Sequence, residues 1–428
     1  MADRARWKRW AQRGGIALLA LAVVALAGAA WIFRPLPLEG SPKLETSAAS
    51  AERGEYLAQI GNCSACHTVP GGEELAGGVA FHTDFGTIYS TNITPDRENG
   101  IGNWTFSQFH RAMKHGIGDG GEHLYPAFPY TSFAQMTDQD IGSLYLHLAR
   151  TPAIATANRD NDMDFPFGNR GLLHFWKRLF HEPEQFQANA SQAPEWNRGA
   201  YLVEAVAHCG ACHTPRNALG GPDNDRHLQG GIYVDQVRNG AYRRWAAVDI
   251  TPGENGLAHW SAEDFEQYLA EGQNAHAVVH GPMNEVFAST GLLTDEDRLA
   301  MAIYLTGVAP SSPRWRLPFP SLGASDGEIV YTVHCGTCHL PDGGGDPTLG
   351  VSLHNNPVIQ AEDPSSLINV ILYGPDLPPP PFTVGRSRMK AFGRRLSDDD
   401  IAAVATYLRS SFGNNASGVS ASQVARQR

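Results

Sequence analysis

Cys63-Ser64-Ala65-Cys66-His67, Cys209-Gly210-Ala211-Cys212-His213 and Cys335-Gly336-Thr337-Cys338-His339 contain every cysteine of a 428-residue chain. Two thiols one helical turn apart can form thioethers with the two vinyl groups of a haem, and the adjacent imidazole then meets the iron. A zinc site needs four ligands, and each copy brings only two cysteines and a histidine. A thiol redox pair gives no reason for histidine to follow three times out of three. No thiol is left for a disulfide or a nucleophile. The spacing predicts three covalently bound haems c, attached at Cys63, Cys66, Cys209, Cys212, Cys335 and Cys338. His67, His213 and His339 are the proximal iron ligands.

Outward from the motifs, the chain repeats. Arg53-Gly54-Glu55-Tyr56-Leu57, Arg198-Gly199-Ala200-Tyr201-Leu202 and Asp326-Gly327-Glu328-Ile329-Val330-Tyr331 precede the three motifs with helical apolar spacing. Downstream, Ile93-Thr94-Pro95 leads to Asn99-Gly100-Ile101 and Trp104, as Ile250-Thr251-Pro252 leads to Asn255-Gly256-Leu257 and Trp260. A helix follows each, ending at Gly116 and Gly272, and Ser365 to Tyr373 ends likewise at Gly374. Thr137, Thr294 and Ser397 then open a last helix, each followed by acidic residues suited to an N-terminus.

The pattern predicts an all-α chain of three tandem cytochrome c domains behind an N-terminal transmembrane helix. The domains span 48–155, 195–309 and 322–413, joined by linkers at 156–194 and 310–321, with a polar tail without a core at 414–428. The first linker carries Phe165-Pro166-Phe167 and Leu172-Leu173-His174-Phe175-Trp176. That cluster is expected to pack on its own domains, with docking on a partner as the alternative. Gly343-Gly344-Gly345 lacks the helix-opening pattern of a phosphate loop and reads as a loop beside the third haem.

A haem in an electron carrier normally has a ligand on its far face, and methionine raises its potential. Met283, in Gly281-Pro282-Met283, lies eleven residues before Thr294, and Met389 lies eight before Ser397. Both are expected to ligate iron. The first repeat departs: Phe128 stands nine residues before Thr137, and a phenyl ring cannot bind iron. Met113 and Met136 overlay apolar positions of the other repeats and read as core. His115 and His123 remain, His123 being the better placed. The first haem is thus bis-histidine or open on one face.

The uncharged run 14–33, behind Arg4, Arg6, Lys8, Arg9 and Arg13, reads as a membrane anchor, since twenty helical residues span about 30 Å. Basic flanks stay cytoplasmic, which puts the bulk on the periplasmic side of a bacterial cell membrane. A cleaved signal peptide, with Ala27-Gly28-Ala29 as its processing site, also exports the chain. The net charge of −11 becomes more negative without the first 34 residues, which hold six basic side chains and one acidic. Such an acidic surface disfavours nucleic acid, and none is expected as a partner.

The chain resembles the membrane-bound tri-haem cytochrome c subunits of bacterial periplasmic dehydrogenases that oxidise alcohols, aldehydes or gluconate. The resemblance runs from Ala51 to Gly413 and rests on the haem motifs and on Phe85-Gly86-Thr87-Ile88-Tyr89-Ser90-Thr91-Asn92-Ile93-Thr94-Pro95. Gly281-Pro282-Met283 and Met389 with Ala391-Phe392-Gly393 add to it. The stretches Asp164 to Phe180 and Glu195 to Gly199 are similar to cytochromes that serve molybdenum hydroxylases. The resemblance implies an electron-transfer subunit without catalytic residues. Electrons would come from a separate dehydrogenase subunit of the quinone-cofactor, flavin or molybdenum type and pass to ubiquinone or a terminal oxidase. The family has methionine where this chain has Phe128. Two alternatives compete: a peroxidase-like haem enzyme using an open first haem, and an accessory cytochrome of a terminal oxidase.

Overall fold

The computed structural model describes residues 10, 13–16, 18–24, 26–28, 42–45, 49–236, 242–307, 324–375 and 388–428. The first segment begins with α1 (Ala51–Ile60), capped by the Ser50 hydroxyl, and α2 (Cys63–His67). A hairpin of β1 (Ala80–Thr83) and β2 (Gly86–Tyr89) leads to α3 (Phe106–His115), α4 (Tyr130–Phe133) and α5 (Asp138–Leu148). The connecting stretch adds β3 (Asp162–Met163) to that hairpin and then forms α6 (Leu172–Phe180).

The second segment repeats the order. It has α7 (Pro194–Tyr201), a π-helical turn (Leu202–Val206), α8 (Gly210–His213), a hairpin of β4 (Gln229–Gln236) and β5 (Tyr242–Asp249), α9 (Ala262–Glu271), α10 (Met283–Thr290) and α11 (Asp295–Gly307). The third has α12 (Ala324–His334), α13 (Gly336–His339), α14 (Pro357–Gln360), α15 (Ser365–Tyr373), α16 (Asp398–Ser410) and α17 (Ala421–Gln427).

One glycine in each segment sets the crossing of its first and last helices. A Cβ on Gly54 would lie 1.9 Å from the Ser143 carbonyl oxygen, one on Gly199 1.9 Å from that of Ala300, and one on Gly327 2.2 Å from that of Ala403. Only glycine allows the two backbones this contact. These glycines also give a common register, and from them to the first cysteine the chain runs nine, ten and eight residues. The π-helical turn lies in the second segment, where one residue more than in the first must be fitted before the motif.

The last helices are capped as their sequence predicts, with the Thr137, Thr294 and Ser397 hydroxyls accepting from the backbone N–H groups of Asp140, Asp297 and Asp400. Gly116, Gly272 and Gly374 end the middle helices at φ of +58°, +71° and +74°.

Four expectations need correction or restriction. The chain is largely helical, yet it is not all-α. Thr87-Ile88-Tyr89 and Ile232-Tyr233-Val234, β-branched and aromatic, pair into two small antiparallel sheets. The tail 414–428 does not lack a core. It folds back so that Val424 is fully buried on the third segment, and Arg409, also fully buried, donates to the Ser417 carbonyl at 2.5 Å. Polar composition misled here because a single apolar side chain per turn is enough to seat a short helix. The run 14–33 lies partly outside the described residues. Among those described, no helix is long and apolar enough to cross a membrane. The linker 310–321 lies outside them altogether.

One apolar cluster runs through the first two segments, from Leu57 and Ile60 to Leu202, Val206 and Met301. The third segment has its own, around Tyr331, Ile368, Ile401 and Val424. It leans on β5, where the Ser366 hydroxyl accepts from the Ala246 N–H and donates to its carbonyl, both at 2.9 Å.

The first linker packs on its own neighbours through one face. Lys177, fully buried on α6, donates to the carbonyls of His115 and Gly116 at 2.6 Å each, satisfying the C-terminal end of α3. Trp176 donates to the Leu219 carbonyl at 3.0 Å, and His181 to that of Lys114 at 2.9 Å. The outer side of this stretch stays apolar and open, with Phe165 98% exposed and Leu172, Phe175 and Leu179 exposed in line.

Candidate haem-attachment sites

Each motif histidine is oriented in the same way. His67 Nδ1 lies 2.6 Å from the Thr91 carbonyl oxygen, His213 Nδ1 2.7 Å from that of Val248, and His339 Nδ1 2.9 Å from that of Val351. A carbonyl can only accept, so Nδ1 carries the proton and Nε2 keeps the lone pair. This is the tautomer and the fixed ring that an iron ligand requires. Loss of solvent around each ring lowers its pKa, which favours the neutral, ligating form.

The thiols agree. Burial pushes Cys63 up to about 11, Cys66 and Cys209 to about 12, and Cys335 to about 11. Such sites disfavour the thiolate that zinc binding or thiol exchange needs. They suit an uncharged thioether. Among the described residues no group of three His, Cys, Asp or Glu side chains is arranged to hold a metal ion.

The orienting carbonyls explain the repeated Ile-Thr-Pro. Thr91 and Val248 sit two residues before Ile93 and Ile250, and the intervening residue braces the turn in both. Asn92 Oδ1 accepts from the Thr94 N–H and hydroxyl at 2.9 and 2.7 Å, and Asp249 Oδ1 accepts from those of Thr251 at the same distances. Sequence reading singled out this segment without assigning it a task. The shared Ile-Thr-Pro was the available signal, but a backbone carbonyl has no residue signature of its own. In the third segment Gly345 closes its loop onto the motif by donating to the His339 carbonyl at 3.1 Å.

On the far side, hydrogen bonding sets the register between the first two segments. The Leu124 N–H donates to the Gly116 carbonyl, and the Val279 N–H to that of Gly272, both at 2.8 Å. Counting four residues on from each, Phe128 stands where Met283 stands. Gly281, at φ +58°, brings its loop against the ring of Trp245, where a Cβ would lie 2.8 Å away. Met283 then opens α10, and Met389 packs at the edge of the third cluster. Phe128 instead joins an aromatic group with Tyr130 and Phe133.

The other first-segment candidates lie elsewhere. Met113 and Met136 are buried in the core. His115 is buried, and burial draws its pKa down to about 4. His123 is engaged by the linker: its Nδ1 lies 3.1 Å from Lys177 Nζ, its ring meets His174, and its carbonyl accepts from Arg170.

In the first two segments the residue before the first cysteine of the motif crosses to the other segment. Asn62, at φ +51°, accepts from the Ser289 hydroxyl at 2.8 Å on the Met283 helix. His208, at φ +44°, sets its ring 5.3 Å from that of Phe133, just beyond Phe128. The first two motifs therefore face one another. Sequence spacing has no means of showing this.

With this geometry in place, the likeness to known proteins is specific. The cytochrome c family profile matches residues 51–151, and that of subunit III of the cbb3-type cytochrome c oxidase matches 323–408. The cytochrome c subunit of the quinone alcohol dehydrogenase of Gluconacetobacter polyoxogenes is 37% identical over 409 residues, 90% of this chain and 85% of that protein. The gluconate 2-dehydrogenase cytochrome c subunit of Pantoea cypripedii is 37% identical, over 89% of this chain and 90% of that one. The chain belongs to this family of dehydrogenase cytochrome c subunits. It is an electron-transfer subunit rather than a catalytic one, and the haem-enzyme alternative is not favoured. Its cytochrome c domains imply covalently bound haem c. A nicotinate dehydrogenase polypeptide of Pseudomonas putida is also similar, 38% identical over 86% of this chain, which spans 30% of that longer protein.

Proposed function

We propose that the chain holds three haems c in three cytochrome c domains and passes electrons from a separate catalytic dehydrogenase subunit to ubiquinone or a terminal oxidase. The catalytic subunit is of the quinone-cofactor, flavin or molybdenum type. The run 14–33 anchors the chain, with its bulk on the periplasmic side of the bacterial cell membrane. Each bound haem c supplies a reversible one-electron centre. The chain's own residues do the rest. Cys63, Cys66, Cys209, Cys212, Cys335 and Cys338 attach the haems; His67, His213 and His339 are held by backbone carbonyls as neutral Nε2 donors. Met283 and Met389 supply thioether ligands that raise two of the potentials, and the first site has none.

The observation that carries this reading is the orienting hydrogen bond, made three times from Nδ1 to a carbonyl. Intact-mass and iron measurements on the purified full-length chain test it, with three covalent haems expected per polypeptide. Two haems would remove it. Replacing residues 1–34 by a cleavable export signal should release a soluble protein from the membrane fraction, and the dehydrogenase that co-purifies with the intact chain identifies the electron donor.

A further inference from the structure

The first helices of the three segments share a register, fixed by Gly54, Gly199 and Gly327 at the helix crossing. Two residues beyond the glycine stand Tyr56, Tyr201 and Ile329; six beyond stand Ile60, Ala205 and Val333. These two positions lie one turn apart on one helix face. In the first two segments that face is covered. Tyr201 is 6% exposed, Ile60 4% and Ala205 0%. What covers each is the other segment: Tyr56 and Tyr201 reach across to Asp297 and Asp140, and a Cβ on Gly61 would lie 3.6 Å from the Val206 carbonyl. The two helices are exchanged by an approximate two-fold relation.

Among the described residues, the same face of the third segment lies open. Ile329 is 63% exposed and Val333 65%. The polar exchange that joins the first two segments is replaced as well. Asp326 takes the place of Arg53 and Arg198, and Asp400 turns its carboxylate to its own helix start, accepting from the Ser397 N–H at 3.0 Å. What remains is an apolar pair, Ile329 and Val333, bordered by the exposed Asp326 and Thr332 and ending two residues before Cys335.

We propose that this face is the interface between two copies of the chain, packed about a two-fold axis through Ile329 and Val333. The molecule itself shows what this helix face accepts, since both of its equivalents are buried by a segment of the same kind, in an isologous arrangement. A second copy extends that pairing to the one segment that lacks it. An open pair of β-branched residues on a first helix otherwise leaves apolar area in water. In the dimer the third motifs of the two copies meet, as the first and second do within one chain.

The test uses the haem-loaded full-length protein in mild detergent, followed by its haem absorbance in sedimentation velocity at micromolar concentration. The native chain should sediment with twice the mass of one chain, and the doubly substituted Ile329→Arg, Val333→Arg protein with half of that and an unchanged haem spectrum. A photo-crosslinking residue at position 329 should join two copies. A native monomer, a dimer that survives the double substitution, or crosslinks from 329 that enter only a dehydrogenase subunit would each overturn the proposal. Haem count is independent of all three results, so the electron-carrier reading stands or falls separately.

Discussion

The Tyr56 hydroxyl donates to Asp297 across the boundary between the first two segments, at 2.8 Å, and Tyr201 returns the bond to Asp140 at 2.5 Å. Each carboxylate is held from its own side by an arginine, Asp140 by Arg53 and Asp297 by Arg198. Each tyrosine oxygen also accepts from the cap residue of the other segment's last helix, Thr294 for Tyr56 and Thr137 for Tyr201, at 3.2 Å. Burial works to raise the Asp297 pKa, but its bonds to Arg198 and Tyr56 outweigh it and hold the carboxyl below the ordinary range. The two segments are thus bolted by a reciprocal pair of charge-assisted hydrogen bonds rather than by a linker alone.

Tyr201→Phe leaves the buried Asp140 one donor short. A hydrogen bond to a charged group contributes about 1.5–3 kcal/mol, so the variant should lose about 2 kcal/mol in denaturant unfolding. Tyr56→Phe should lose less, because its site is only half-buried. Equal losses would show that burial does not matter here.

The sixth-ligand assignments predict a spectroscopic count. Oxidised native protein should show near-infrared thioether-to-iron absorption from two haems. Met283→Ala and Met389→Ala should each remove one share. Phe128→Met, at the position equivalent to Met283, should add a third and raise the lowest potential in a redox titration. A native spectrum already showing three would refute the reading of Phe128.

His115 and His181 give the junction between the first segment and its linker a pH dependence. Burial is the main cause that draws both from 6.5 to about 4. Above 6.5 neither state holds the protons. Between 6.5 and 4 the unfolded chain binds them and the folded one does not, so stability falls as pH falls through that window. Thermal unfolding from pH 7.5 to 4.5 should show this slope, and His181→Phe should flatten it.

Gly199→Ala places a methyl group 1.9 Å from the Ala300 carbonyl oxygen. The helices must separate, which costs about 1–3 kcal/mol as overpacking does. Gly327→Ala should behave alike in the third segment, whereas alanine at the exposed Gly344 should be neutral in the same denaturation assay.

Deleting residues 414–428 removes Val424 from the third cluster and leaves the fully buried Arg409 without its Ser417 acceptor. Arg409 keeps its bonds to the Ile359 and Ala361 carbonyls, so the loss is that of one buried apolar side chain and one hydrogen bond to a charged group, on the order of 3 kcal/mol. The truncated protein should unfold its third segment first, read as early loss of that segment's amide protection in hydrogen exchange.

Much of this protein was legible in its residues. The haem motifs, the helix caps at Thr137, Thr294 and Ser397, the stop glycines and the helical first elements all rest on local chemistry within a few positions of chain. Phe128 was recognisable as the odd position because a repeated sequence carries its own reference. The carbonyls of Thr91, Val248 and Val351 were not legible, since any residue supplies one. Nor was the seating of the tail, which depends on one valine finding a groove assembled from distant helices. Pairing of the first two segments and exposure of Ile329 and Val333 belong to the tertiary structure alone. A tyrosine, an isoleucine and an aspartate look alike in sequence whether they face water or another domain. Which of them is buried depends on where the chain brings a second surface.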